Sequence, residues 1–574
     1  MDKPPEPPPG STDGKPTGLR RWWHALLPNR PTGRMTGTDE LDNEADVTLL
    51  ALASNEAKAA APAKAPDPVF SGRRLAILLM LGAVVSKMLG LVREISMAHM
   101  FGTSITADAF RAAITGVLMP LALLQNETVP TVFIPMHRDW QARGDAPRRF
   151  AALAITLTLI GTLIMGCVLM LGSYWITAFV GGFTQEGQEL TRSFITIMAL
   201  AMPGSVMLNA LSAGEIALGR SRLTTIRASL LNIAIIGGLL VVFFTGWLMA
   251  LPVAFMLAFD GLAIWGVYKL TREGDLSFKG LTWADLMAAQ KEFWVRVRPL
   301  LAMPIAEQAN IWIERLTASR LAVGAVASLD YARTITDSAV LFISQPLGLV
   351  LLATPPDADP AERMERLSRP LLAAGLPASV WLGLFGPEVV TMLFSRGAFN
   401  ETAIELTGQA LLGISLGLWA VTLGWVLLRM VNSAGQNARA TMILLMGYAV
   451  NILSNFVLYE LPAAKGYGPF IIGVGESLRG GILLIGAAMA LGCGMRLLKL
   501  IGLALPATVL MLGLGWWIDT AILALWPKLA LSGLTCVASI LVGFQILDPE
   551  VLRAAFSRIR GKFNQIFRKS TAKG

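Results

Sequence analysis

Charged side chains interrupt several long apolar runs of this chain of 574 residues. The first of these runs contains Lys87, Arg93 and Glu94, and Lys87 and Arg93 lie within about 120° of each other around a helix. A charge at the centre of a bilayer costs at least about 2.5–3.5 kcal/mol, so such side chains must face protein or a water-filled cavity. Arginine suits phosphate groups, because its planar fork donates two hydrogen bonds at once.

These charges predict a polar cavity that grips an anionic substrate. The residues predicted to bind the substrate there are Lys87, Arg93, Asp108, Arg111, Arg315 and Arg333. Further acidic residues predicted to line the cavity or to couple its movement to an ion are Glu94, Glu127, Glu307 and Asp337. The alternative is structural, because charges at helical spacing, such as Asp108 with Arg111 or Glu476 with Arg479, can neutralise each other and hold helices together.

The sequence shows no group of residues spaced for covalent catalysis or metal binding. The three cysteines (Cys167, Cys493 and Cys536) lie in apolar stretches, and the three histidines are far apart, so no zinc spacing occurs. The sequence has no phosphate-binding glycine loop with its lysine and no nucleophile elbow. A membrane-embedded transferase would need an acidic motif, and the nearest one, Asp357 with Asp359, reads as a solvated loop. We therefore expect no enzyme activity, no cofactor and no metal.

The composition then sets the class of protein. Hydrophobic residues make up 54% of the chain and charged residues 15%, against roughly 25% charged in a soluble domain. This excess excludes a soluble enzyme, a nucleic-acid-binding domain and a disulfide scaffold. The net charge of +9 comes mostly from basic residues between apolar runs, as the positive-inside rule expects. We predict an all-α polytopic protein of the bacterial inner (cytoplasmic) membrane, with membrane lipids as its surroundings and no nucleic acid as partner.

A span of about 20 apolar residues per helix gives about fourteen transmembrane helices. Their centres fall near residues 83, 116, 161, 204, 234, 257, 308, 342, 379, 416, 449, 481, 508 and 535. Basic loops alternate with loops poor in Lys and Arg, which places both termini in the cytoplasm. The predicted order is a disordered cytoplasmic tail (1–72), an N-lobe of six helices (73–270), a cytoplasmic amphipathic loop (271–296), a C-lobe of six helices (297–495), a C-terminal helix pair (496–547) and a basic cytoplasmic tail (548–574).

One run carries a family resemblance. Residues 85–110, VSKMLGLVREISMAHMFGTSITADAF, resemble the opening motif of the MurJ/MviN family, and Val132-Phe133-Ile134-Pro135 is a further match. Other matches are Leu329-Asp330-Tyr331-Ala332 and the run LFSRGAF at 393–399. The resemblance extends from about residue 75 to 500, and the helix count carries it to 546.

The resemblance implies a flippase of the multidrug/oligosaccharidyl-lipid/polysaccharide exporter superfamily, in which two lobes alternate between inward-open and outward-open states. Members similar to this chain move lipid II, the undecaprenyl-pyrophosphate-linked saccharide precursor of peptidoglycan, for cell-wall synthesis and cell shape. Cavity arginines of the first, second and eighth helices matter in that family, and the last two helices form a lipid groove. By motif position Arg93 and Asp108 match, whereas Lys87 stands where an arginine is usual.

The sequence also departs from the family pattern. The second helix lacks its basic end, since residues 120–128 read PLALLQNET, and Arg333 stands one place early in its motif without the neighbouring acid. An exopolysaccharide repeat-unit flippase, active in polysaccharide export, is therefore the alternative function. A non-transport membrane scaffold is another, which would recruit cell-envelope synthesis proteins through the N-terminal tail. A drug or cation antiporter would instead want an acidic cavity.

Overall fold

The computed structural model describes residues 72–125, 128–338, 359–461, 466–553 and 557, and these residues form α-helices joined by short turns, with no β-strand among them. The N-terminal group comprises α1 (Gly72–Phe101), α2 (Ile105–Leu118), α3 (Thr128–Arg143), α4 (Ala146–Leu171), α5 (Gln185–Met198), α6 (Ala201–Ala217), α7 (Arg222–Thr245), α8 (Ala250–Glu273) and α9 (Trp283–Val297). Shorter helical segments lie at Met119–Leu121, Ala122–Gln125 and Ser173–Val180.

The C-terminal group follows the short 3₁₀ segment Arg298–Leu300. It comprises α10 (Ala302–Leu321), α11 (325–338), α12 (Pro360–Leu384), α13 (Gly386–Phe394), α14 (Glu401–Ser415), α15 (Leu418–Ser433), α16 (Asn437–Glu460), α17 (Phe470–Ala490), α18 (Gly494–Ala521) and α19 (Leu525–Leu547). The predicted tail 1–72 lies outside the described residues except for Gly72. So do residues 339–358, which include the centre of the predicted eighth helix and Asp357 of the predicted loop, and residues 554–556 and 558–574 of the predicted basic tail.

Helices long and apolar enough to span a bilayer number eight within the described residues, or up to eleven if each of three bent pairs is one span. The bends measure 51° between α5 and α6, 73° between α12 and α13, and 44° between α14 and α15. The all-α membrane fold is thus confirmed, while the count of fourteen stays a prediction. α10 is not among the eight, and it carries charges that include Glu314 and Arg315.

The helices of each group pack mainly on one another. In the N-terminal group, Phe133, Trp140 and Phe150 are fully buried, and Gly214 of α6 lets the Phe150 ring approach its backbone closely. In the C-terminal group α18 and α19 pack on α12 and on each other. The outer faces expose large apolar side chains, such as Trp516 at 65%. Because so much apolar surface would be unfavourable in water, these faces fit a lipid environment.

The two groups meet closely at one end of the molecule, which we call the closed end. There the Ala398 amide donates to the His99 carbonyl oxygen at 2.8 Å, and the Tyr331 hydroxyl donates to the Gly102 carbonyl oxygen at 3.0 Å. Gly324 has a φ of 90°, and a Cβ there would overlap the Thr103 carbonyl group. The close approach of α1 and α2 to α11 therefore depends on a glycine at this turn.

Candidate functional site

The charged side chains of α1 and α2 meet at the boundary between the two helix groups. Glu94 is buried and accepts hydrogen bonds from both Arg93 and Arg111. Arg93 also donates from Nη1 to Asn232 Oδ1 on α7 at 3.0 Å. The one carboxylate therefore serves two guanidinium groups, so that neither enters the apolar interior without a counter-charge.

Arg111 links these charged side chains to the C-terminal group. Its Nη1 lies 3.3 Å from Asp330 Oδ2 on α11, and its guanidinium carbon lies 4.3 Å from the centre of the Tyr331 ring. Asp330 in turn accepts from Arg315 Nη2 of α10 at 2.7 Å. A cation over an aromatic face is stabilised by the ring quadrupole, which adds to the ion pair. The contacts of Arg111 thus join the two groups directly.

Arg333 lies one helical turn along α11 from Asp330 and has two acidic partners. Its Nη2 is 2.7 Å from Glu314 Oε2, and its Nε donates to Glu476 Oε1 of α17 at 2.7 Å. Glu314 also accepts from Asn451 Nδ2 of α16 at 2.6 Å. The guanidinium group therefore ties α11 to α10 and α17 inside the C-terminal group.

Asp108 has a different role from the one its sequence spacing suggests. It is fully buried, and its two carboxylate oxygens accept from the backbone amides of Gly324 at 2.6 Å and of Ala327 at 2.7 Å. Gly324 immediately precedes α11 and Ala327 lies in its first turn, so Asp108 of one helix group caps a helix of the other. Backbone amides at a helix N-terminus bind a carboxylate well, because the helix dipole is positive there.

We call one set of side chains the interface network. It consists of Arg93, Glu94, Arg111, Glu314, Arg315, Asp330, Arg333 and Glu476. Four cations and four anions balance, so the arginines predicted to bind substrate have carboxylate partners within the protein. Lys87, by contrast, is exposed and forms no ion pair with any described residue. Arg93 and Arg333 are each 26% exposed, which leaves both reachable from water.

The other predicted residues are placed as follows. Asp337 is exposed and Glu307 is half-buried, whereas Glu127 lies outside the described residues. The spacing-based pairs are replaced by tertiary ones: Glu476 bonds Arg333, and Arg479 lies over the Tyr448 ring with 5.7 Å to its centre. That these residues bind a substrate stays a prediction.

Sequence reasoning did not select several polar side chains that complete the site. Asn232 and Asn451 interrupt apolar runs, and an amide side chain in such a run is a signal that could have identified them. A separate ion cluster was also missed: Lys528 at the start of α19 lies 3.0 Å from Glu388 and 2.9 Å from Asp519. It holds the α18–α19 hairpin against α13.

Taken together, the apolar outer faces and the charged boundary define a polytopic membrane protein whose two helix groups meet at an ion-pair network. Among solved structures, the fold is similar to "Lipid II flippase MurJ, inward closed conformation", with a TM-score of 0.72 at 16% identity over 83% of this chain and 100% of that one. An inward-facing MATE family transporter of the MOP superfamily matches with a TM-score of 0.53 at 13% identity, over 72% of this chain and 95% of that one.

Sequence comparison gives the family. Residues 97–529 match the family described as lipid II flippase MurJ, and the chain belongs to this family. A probable lipid II flippase MurJ of Rhizobium tropici is 26% identical over 59% of this chain and 66% of its own length. The lipid II flippase MurJ of Burkholderia cenocepacia is 24% identical, covering 70% of this chain and 81% of its own length. The predicted family resemblance is confirmed.

Proposed function

We propose that this protein translocates lipid II, an undecaprenyl-pyrophosphate-linked saccharide, across the bacterial inner membrane for peptidoglycan synthesis. The observation that carries the proposal is the interface network, a set of arginines held at the boundary of two helix groups in a chain of the lipid II flippase MurJ family. Translocation by alternating access requires no covalent step, so no catalytic residue is assigned.

The arrangement of the charges suggests how a pyrophosphate would be held and released. At the closed end the two groups are joined by Asp108 and by the Tyr331 hydroxyl, so substrate would enter from the opposite end. Lys87 is exposed on α1 without an ion-pair partner in the described part of the chain, and Arg93 lies six residues beyond it. The phosphates would bind Lys87 first and then compete with Glu94 for Arg93. Because the carboxylates remain available as replacement partners, the substrate can leave again.

The orientation of the protein in the membrane is proposed from the distribution of basic residues among its loops. We place both termini in the cytoplasm, because basic residues stay on that side, and the closed end then faces the periplasm. Residues 1–71 would lie on the cytoplasmic side, where they are free to recruit cell-envelope synthesis proteins. The membrane potential supplies about 2.3 kcal/mol for each charge moved across 100 mV, enough to bias two conformations.

Complementation tests the proposal. Cells depleted of their native lipid II flippase are expected to survive when this chain is expressed, and to lose that rescue with Lys87→Ala or Arg93→Ala. Arg192→Ala is the matched control, since Arg192 is an exposed arginine outside the network whose Nη1 lies 3.3 Å from Ser173 Oγ. Membrane levels of each variant are measured in parallel, so that loss of function is separated from loss of protein.

Two outcomes contradict the proposal. Rescue by both substitutions would remove the cationic residues from the mechanism. Failure of the unsubstituted chain to rescue, together with restored exopolysaccharide in a strain lacking its repeat-unit flippase, would assign the alternative substrate.

A further inference from the structure

Helix α9 presents one face whose side chains are exposed. Its exposed positions recur every three or four residues, and at about 100° per residue they fall in a stripe about 100° wide. We call this the α9 stripe, and it consists of Ala284, Met287, Ala288, Lys291 and Val295 of α9 together with Arg298, the first residue of the 3₁₀ segment that follows. Such a pattern belongs to a helix with one side on protein and the other on a different medium.

The opposite face of α9 is fixed to the ends of α3 and α4. Phe293 is fully buried there, and Trp140 Nε1 donates to Glu292 at 3.1 Å. Arg148 pairs with Asp285 at the start of the helix, and Arg296 Nη2 bonds Asp139 Oδ2 at 2.9 Å near its end. These contacts set which way α9 is turned, so the stripe points away from the protein.

The position of α9 places the stripe at the level of the lipid headgroups. α3 and α4 belong to segments long and apolar enough to cross a bilayer, and α9 lies against the turn that joins them. α9 has 15 residues, a length of about 22 Å, which is too short to cross the hydrocarbon core. A helix that is too short to span the bilayer and contacts the ends of two membrane helices lies at the membrane boundary.

The acidic side chains of α9 and the cations of the α9 stripe lie on different sides of the helix. Asp285 and Glu292 lie about 90° to one side of the stripe and bond arginines of the protein, whereas the stripe itself carries only positive charges. Trp283, 69% exposed, flanks the stripe on the other side, and Val295 within it is 60% exposed. Tryptophan at a polar boundary, with aliphatic side chains next to Lys and Arg, is the composition of helices that lie in the headgroup layer.

We propose that the α9 stripe binds anionic phospholipid headgroups of the membrane leaflet that α9 contacts. Lys291 and Arg298 contact the lipid phosphates, while Met287, Val295 and Trp283 enter the boundary between headgroups and acyl chains. Anionic lipids are favoured over zwitterionic ones, because the stripe offers two cations with no carboxylate between them. The binding fixes the depth of the N-terminal helix group in the bilayer and is independent of the substrate proposed above.

Hydrogen exchange on the full chain in nanodiscs tests this inference. Amides of residues 283–298 are compared in discs of phosphatidylcholine alone and in discs that also contain phosphatidylglycerol. We expect phosphatidylglycerol to slow exchange in this segment, and the double substitution Lys291→Glu with Arg298→Glu to reduce that slowing roughly tenfold. The matched control is Arg366→Glu with Lys499→Glu, which changes the net charge equally at two exposed cations on other helices and should leave the slowing unchanged.

Two results would overturn the proposal. One is equal exchange of residues 283–298 in both kinds of disc, and the other is an undiminished response to phosphatidylglycerol in the doubly substituted protein. Exchange of the buried Phe293 region in phosphatidylcholine discs reports whether α9 still folds. If charge reversal unfolds it, Lys291→Gln with Arg298→Gln removes the same cations without adding anions, and the same two results decide.

Discussion

The interface network and the Lys528 cluster both bury charge in an apolar protein, but they are built differently. In the part of the network that contains Arg111, carboxylates are shared: Glu94 serves Arg93 and Arg111, and Asp330 serves Arg111 and Arg315. In the cluster, one lysine serves two carboxylates, and one of these, Asp519, has a side chain that is 40% exposed. The first arrangement crosses between the helix groups, whereas the second joins helices within the C-terminal group.

The charges of the network can exchange partners, whereas those of the Lys528 cluster only hold helices together. A shared carboxylate can move its hydrogen bonds from one arginine to the other when an anion arrives, so the cost of exchange is reduced. The Lys528 cluster has no second cation among the described residues around it, and it holds the α18–α19 hairpin against α13. Substitutions in the two places should therefore have different consequences.

The largest effect is expected for Asp330→Ala. Arg315 loses its carboxylate partner and Arg111 loses one of two, and breaking a buried ion pair typically costs about 3–5 kcal/mol. We expect a large drop in the thermal unfolding temperature and loss of complementation. Asp139→Ala is the control, because the ion pair of Asp139 with Arg296 is at the surface and such pairs contribute less than about 1 kcal/mol. Equal effects of the two substitutions would mean that Asp330 contributes no more to stability than a carboxylate in a surface ion pair.

Asp108→Ala should release the closed end. The substitution removes the acceptor for the Gly324 and Ala327 amides, and hydrogen bonds to a charged group are worth about 1.5–3 kcal/mol, roughly a 10- to 100-fold shift in the opening equilibrium. The measurement is labelling of Thr103→Cys by a membrane-impermeant maleimide, in a background without the three native cysteines. Unchanged labelling would mean that Asp108 does not hold the two groups together.

Lys528→Met is expected to act more weakly. Asp519 reaches water at the end of the hairpin, so solvent partly compensates its loss of a partner, whereas Glu388 is only 17% exposed. We expect a loss of stability of about 1–2 kcal/mol. Complementation should be retained, because the cluster lies outside the interface network. Loss of complementation with normal protein levels would show that the hairpin takes part in transport.

The smallest effect concerns pH at α9. Hydrogen bonds from the side chain and amide of Thr282 and from Arg148 lower the pKa of Asp285 from its ordinary value of 3.8 to about 2. Because the folded-state pKa is lowered, the contribution of Asp285 to the stability of the folded protein is present above about pH 4 and is lost as the pH falls through about 2. Pepsin cleavage of the segment 274–301, which contains α9, should be faster in Asp285→Asn than in the wild type at pH 4, and this difference should largely disappear at pH 2. A constant ratio across this range would contradict the assignment.

Several features of the fold were accessible from the sequence. The all-α membrane class follows from apolar runs of about 20 residues, and the predicted family was confirmed by the match over residues 97–529. The arginines of the interface network also stood out, since charges within apolar runs are rare and must be shielded. The number of helices was less accessible, because bends such as the one between α14 and α15 divide a run that composition reads as continuous.

The sequence did not reveal which partners the charged side chains have. The spacing of Asp108 and Arg111 suggested a local pair, yet Asp108 bonds amides 216 and 219 positions away. Arg333 lacks an acid beside it in its motif, and it finds Glu476 at a separation of 143 positions.

The sequence by itself determined the medium in which this protein folds and which residues must be shielded from it, because the cost of placing a charge in hydrocarbon is the same in any fold. Only the tertiary structure decided which acid faces which arginine. Helical spacing fixes the side of a helix on which a residue lies, whereas the partner depends on which helix packs there. That choice turned a set of predicted cations into a balanced network across two helix groups.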